Sequence, residues 1–108
     1  MILSAPRELS TSRGCFTYRD TGAGGTPLVM IPGWPERSYS WEHVSRYLGA
    51  GFHIIAPDLR GLGDSERTVG EKHYHKAELA QDVISMLDAL GIERFQLVGH
   101  DWGGIVAQ

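Results

Sequence analysis

The stretch Leu97-Val98-Gly99-His100-Asp101-Trp102-Gly103-Gly104 places one carboxylate at the tip of a tight turn. An apolar strand runs in and a helix start follows, with the spacing small-x-nucleophile-x-small that lifts a reactive side chain clear of the backbone. Such a turn holds its central residue at strained backbone angles, so the residues two positions away on each side must be small. Gly99 and Gly103 meet that requirement, and Gly104 is expected to let the helix pack close to the strand. A hydroxyl must lose a proton before it attacks, whereas an aspartate with an ordinary pKa of about 3.9 is already ionised at neutral pH. Carboxylate suits in-line displacement at an sp3 carbon that carries a strained ring oxygen or a halide, and the product is an ester on Asp101.

The same residues have plainer readings. Aspartate before a helix is a common N-cap. His100 adjoins Asp101, but neighbours on a sharp turn point apart, so His100 is expected to support the site structurally rather than act as its base. His43, His53, His73 and His75 read as surface or loop residues, and Glu71 beside His73 and His75 is too small a set for a metal centre. Asp58, Arg60 and Asp64 are expected to tie their loop together through ion pairs and backbone hydrogen bonds.

The elements that position Asp101 follow from patterning. Arg7 to Thr11 and Cys15 to Arg19 flank Ser12-Arg13-Gly14 and read as an antiparallel hairpin, with Phe16 and Tyr18 on one face. Thr21 to Pro27 is a glycine-rich turn. Leu28 to Ile31 is a continuous apolar run, as expected of a strand covered on both faces, and it stops at Pro32-Gly33-Trp34-Pro35. Trp41, Val44, Tyr47 and Leu48 recur at helical spacing, with Ser40 placed to cap and Gly49 to Gly51 to terminate. Phe52 to Ala56 is a second buried strand. Leu79, Val83, Met86, Leu87 and Leu90 mark one face of a helix of about four turns, ended by Gly91. Phe95 to Val98 is the strand that enters the turn. Strand and helix alternate, which implies right-handed crossovers and a mostly parallel sheet with helices on both faces.

Composition narrows the class. The 108 residues, 42% of them hydrophobic, suffice for one domain with a modest core. A formal charge of -3 without a basic block argues against a nucleic-acid partner. The first residues lack the apolar core of a signal peptide and no run is long enough to span a bilayer, so the expected location is the cytoplasm, free of membrane. Cys15 is the only cysteine; it has no internal disulfide partner and reads as a small buried or strand residue.

Four segments taken together, GWPERSYSW at 33–41, DLRGLGDS at 58–65, LDALGIERFQLVGHDWGG at 87–104 and GHDWGG within it, resemble the N-terminal part of α/β-hydrolases. More closely, the chain is similar to epoxide hydrolases and their haloalkane and haloacetate dehalogenase relatives. The resemblance implies an α/β-hydrolase fold, with residues 1–108 as the N-terminal part of a single domain. It also implies a further stretch, outside these residues, carrying a cap, an acidic triad residue and the catalytic histidine. Asp101 would be the nucleophile, and the backbone N–H groups of Trp34 and Trp102 the oxyanion hole used when water attacks the ester. Each donor in such a hole contributes about 3 to 4 kcal/mol. Trp34 and Trp102 would also line the substrate site, with Gly33, Pro35, Gly99, His100, Gly103 and Gly104 shaping it. Pro32 stands where family members carry histidine in a His-Gly-x-Pro turn, so the support of the hole loop differs here.

No cofactor or metal is implied; the expected partner is a small epoxide or organohalide. Epoxide hydrolysis is the preferred reading. Haloalkane or haloacetate dehalogenation is the alternative, and a non-catalytic module that pairs through its open sheet edge, as a homo-oligomer or with a complementary chain, is the third.

Overall fold

The computed structural model describes residues 3–22, 24–48 and 51–108. Strands β1 (Arg7–Thr11) and β2 (Gly14–Asp20) form the expected hairpin, registered through Leu9 opposite Phe16 and Thr11 opposite Gly14. β3 (Thr26–Ile31), β4 (Phe52–Pro57) and β5 (Gln96–Gly99) complete a five-stranded sheet in the order β1-β2-β4-β3-β5. β2 meets β4 antiparallel, whereas β3 runs parallel to both β4 and β5. The α/β-hydrolase fold class read from the sequence is the one observed. Cys15 lies in β2 but is exposed.

β3 is an interior strand, between β4 and β5, and both of its faces are apolar. Side chains alternate across a strand, so Val29 and Ile31 enter one core while Leu28 and Met30 enter another. The first core is closed by α2 (Lys76–Ala89) and α3 (Trp102–Ala107) through Leu79, Val83, Leu87 and Val106. The second is closed by Ile54, Leu3 and the partly buried Trp41 and Leu48. Helices therefore cover both faces, and β3 points its C-terminal end at the turn that follows it.

The helix after β3 departs from its expected form. A 3-10 turn (Ser38–Trp41) leads into a short α1 (Glu42–Tyr47), whose N-cap is Trp41 with no side-chain cap bond, so Ser40 is not the cap. Val44 and Tyr47 are exposed, while Glu42 and Ser45 are buried. The 3-10 turn advances the chain by three rather than 3.6 residues per turn, which rotates the following face away from that read at uniform helical spacing. Of the expected terminator, Gly49 and Ala50 lie outside the described residues, as does Ala23 of the glycine-rich turn.

The loop after β4 is tied down by side chains from three directions. Asp58 accepts hydrogen bonds from the Thr17 hydroxyl at 2.5 Å and the Ser38 amide at 2.6 Å. Ser65 donates to the Asp58 carbonyl and accepts from the Thr17 amide. Thr17 is thus buried like its neighbours Phe16 and Tyr18, so β2 is covered on both faces rather than one. Arg60 holds Asp82 of α2 bidentately, both contacts at 2.8 Å, and Arg13 of the hairpin turn reaches the same carboxylate at 2.8 Å. These hydrogen bonds push both guanidinium pKa values further up. Asp64, by contrast, is exposed, so the ties expected of the loop belong to Asp58 and Arg60.

Candidate active site

β5 delivers the chain into a turn whose tip is Asp101, at φ 57 and ψ -120. Among the described residues it is the only non-glycine with positive φ, a conformation that persists only where its surroundings impose it. The surroundings are glycines. A Cβ on Gly99 would stand 2.3 Å from the Gly103 carbonyl oxygen, and one on Gly103 would stand 2.2 Å from that of Ile31. Both obstacles are backbone, so neither position accepts a side chain. At Gly104 the nearest atom would be 3.7 Å away, so the close approach of helix to strand falls to Gly103 and not to Gly104 as the sequence reading had it.

Asp101 occupies the N-cap position of α3 but makes no side-chain cap bond. Its carboxylate turns instead toward the loop after β3, where the Trp34 N–H donates to Oδ2 at 3.3 Å. That loop approaches closely because Gly33 lacks a side chain: a Cβ there would lie 2.8 Å from the Asp101 Cβ and 3.3 Å from His100 Nδ1. The loop is itself a turn, with the Glu36 N–H donating to the Gly33 carbonyl at 2.7 Å and a cis Trp34–Pro35 peptide. His100 donates its N–H to the Ile31 carbonyl at 3.2 Å, and it lines a recess with Pro32, Glu36 and Trp41, separate from the one that Trp102 lines. The Trp102 N–H opens α3, and no acceptor among the described residues takes it.

The two tryptophans flank an open cleft of 430 Å³ whose far wall comes from the segment between β4 and α2. Trp34 is 63% exposed and Trp102 40%. The structure thus brings together Asp101, the Trp34 amide, Gly33, Gly99, His100, Gly103 and the two indoles. Leu62, Arg67 and Tyr74 also line this cleft and were not singled out in the sequence. The glycine-punctuated loop at 61–63 was the available signal, since it bends the chain back toward the site.

Residues 26–108 match the family model of the alpha/beta hydrolase fold, and the chain belongs to that family. Within it, the curated relatives that the chain resembles are epoxide hydrolases. The soluble epoxide hydrolase of Corynebacterium sp. (strain C12) is 45% identical over 87 residues, covering 81% of this chain and 30% of the relative. Among solved structures, epoxide hydrolase VrEH1 from Vigna radiata superposes with TM-score 0.82 at 33% identity, over 96% of this chain and 33% of its own. A Salmonella enterica protein described only provisionally as an acyltransferase gives TM-score 0.88 at 32% identity, over 98% of this chain and 39% of its own. The fold alone therefore does not choose the chemistry. The chain spans about 30% of the length of the curated relatives it matches. Among the described residues no helix is long and apolar enough to cross a membrane.

Proposed function

We propose that this chain is the nucleophile-bearing portion of an epoxide hydrolase and that Asp101 attacks the epoxide. The observation that carries the reading is the Asp101 carboxylate at the tip of the strained turn, with one oxygen on the Trp34 amide. Oδ2 is held there while Oδ1 is free to attack. Attack by Oδ1 forms a C–O bond to the substrate carbon as the epoxide C–O bond breaks; the electron pair passes to the alkoxide, which takes up a proton. The ester left on Asp101 is then hydrolysed by water attacking its carbonyl carbon. The Trp34 amide and the unpaired Trp102 amide take the negative charge that develops on the ester oxygen. The activating base, the triad acid and the proton donor to the alkoxide would come from outside these residues. A carboxylate suits this route because an epoxide carbon needs a nucleophile and no oxyanion hole in the first step, whereas the hole serves the second.

The test is covalent trapping. Without an activated water the ester should persist, so incubation with styrene oxide should raise the intact mass of the chain by one epoxide unit, with the mass located on Asp101. Asp101→Asn should abolish it. The assay buffer is mildly acidic, so that buffer acid supplies the proton the alkoxide needs; an adduct that survives in Asp101→Asn, or none on the wild-type chain under those conditions, would overturn the assignment. A 1-haloalkane in the same assay reads the dehalogenase alternative, for which the exposed indoles of Trp34 and Trp102 are the available halide donors; alkylation of Asp101 with release of halide would favour it.

A further inference from the structure

We propose that the cleft between the two tryptophans and the segment from β4 to α2 binds an apolar carboxylate, and that Arg67 is the group that holds its anionic end. The proposal does not depend on the reading of Asp101 as nucleophile, because Asp101 is not among the residues that line this cleft.

The charge on the lining has one sign. Arg60 and Arg67 are its charged residues, no aspartate or glutamate joins them, and Leu59, Leu62, Leu79 and Trp102 supply apolar surface. The two cations differ in what they can still offer. Arg60 is buried and already holds Asp82 through Nε and Nη2, so its charge is neutralised within the protein. Arg67 is exposed, and no carboxylate among the described residues pairs with it.

Arg67 is nevertheless held in place. Nη1 donates to the Gly61 carbonyl at 2.5 Å and Nη2 to the Gly63 carbonyl at 2.6 Å. Two bonds from one planar group to one loop fix the plane of the guanidinium. Both acceptors are neutral, so the positive charge stays uncompensated. Of the five N–H groups that an arginine carries, Nε–H and one on each Nη keep no acceptor among the described residues. A guanidinium ordered beforehand loses little freedom when an anion arrives, and a carboxylate matches two of its N–H groups at once. The indole N–H groups of Trp34 and Trp102, likewise without an acceptor among the described residues, are further donors in the same cleft.

These features select a ligand class. A cation would find no carboxylate, and a dianion would find one uncompensated cation and an apolar surround that disfavours its second charge. A neutral apolar molecule would leave the Arg67 donors to water. An apolar monocarboxylate uses both the leucine surface and the guanidinium. Because Arg67 is exposed, its preference for the anion is modest and sensitive to salt.

The test compares phenylacetate with 2-phenylacetamide, which share a ring and differ in the charge of the polar end, by ligand-observed NMR titration of this chain near neutral pH. At low salt phenylacetate should bind about fivefold more tightly, an advantage that shrinks as salt is raised. Equal binding, a preference for the amide, or no binding of either would overturn the site. Arg67→Gln should bring phenylacetate down to the level of the amide, whereas Arg67→Lys should keep part of the preference. The ratio of the two affinities is the readout, since a loop disturbed by loss of the Gly61 and Gly63 bonds would weaken both ligands alike. A ratio unchanged in Arg67→Gln would place the anion elsewhere and overturn the assignment. Trapping of styrene oxide in the presence of phenylacetate identifies the source of the anion. Slowed trapping assigns the carboxylate to the substrate's own path and unchanged trapping to a separate ligand; both outcomes support the site. Failure of trapping with the preference intact would reject the nucleophile and keep the carboxylate site, and the converse result would do the opposite.

Discussion

The loop after β4 and the turn after β5 both leave the C-terminal ends of parallel strands, yet they are held by opposite means. Asp58, Arg60 and Ser65 are buried and bonded to the hairpin, the 3-10 turn and α2. The Asp101 turn has almost no side-chain bonds; it is shaped by glycines pressed against the carbonyls of Ile31 and Gly103, and β5 is exposed along its length. A polar network holds a wall in place. Steric exclusion leaves the carboxylate at the tip with a single side-chain contact, the Trp34 amide at 3.3 Å, which is the arrangement the proposed attack by Asp101 requires.

The polar network is most sensitive at Asp82. It is 1% exposed and pairs with Arg60, itself 7% exposed. Asp82→Ala should lower stability by about 3 to 5 kcal/mol in urea unfolding, because it leaves a buried guanidinium without its partner. The double replacement Asp82→Met with Arg60→Leu should recover much of that loss, the expected behaviour of a buried pair whose separation, rather than absence, is destabilising. If the double variant were as unstable as the single one, the network would be contributing through contacts other than the pair.

At the other region the decisive change is steric. Gly103→Ala drives a Cβ onto the Ile31 and Pro32 carbonyl oxygens, which would lie at 2.2 and 2.7 Å. The expected loss is about 2 to 3 kcal/mol with slowed trapping at Asp101, as for overpacking against atoms that cannot move. Gly104→Ala is the control. Its Cβ would meet nothing nearer than 3.7 Å, and alanine favours a helix over glycine by about 1 kcal/mol. Urea midpoints that moved equally for the two variants would remove the role assigned to Gly103.

These two regions differed in how far they could be read from residues alone. The turn was legible because its determinants are contiguous: an apolar strand, two glycines flanking Asp101 and a helix start fall within a few positions. The network was not, because its partners are remote. Asp58 meets Thr17 and Ser38, and Arg60 meets Asp82, which sits on α2 beside the apolar Leu79 and Val83 and carries no signal of its own burial. The face of α1 was misread for a related reason: the preceding 3-10 turn shifts the helical phase, burying Glu42 and Ser45 where Val44 and Tyr47 were expected. His53 was read as a surface residue; it is half-buried beside Asp20, with Nε2 at 3.2 Å from the carboxylate. Periodicity reports local amphipathicity, and each of these cases is decided by a contact distant in sequence.

The smallest expected effect is also the one that separates the two modes of support most cleanly. Asp101 is held at φ 57 with no cap bond to compensate, and a non-glycine residue in a sparsely populated backbone region stores about 1 to 3 kcal/mol of strain. Glycine adopts that region freely, though it gains unfolded-state entropy. Asp101→Gly should therefore raise stability by about 1 kcal/mol in urea unfolding while eliminating covalent trapping. The sign is the informative part. In the network region, truncating a buried carboxylate should destabilise, whereas at the turn it should stabilise, because there the fold bends the backbone to present the side chain and receives only the single 3.3 Å contact with Trp34 in return. A loss of stability on Asp101→Gly would mean that this contact outweighs the strain, and that the carboxylate is a structural tie like Asp58 rather than a group held out for reaction.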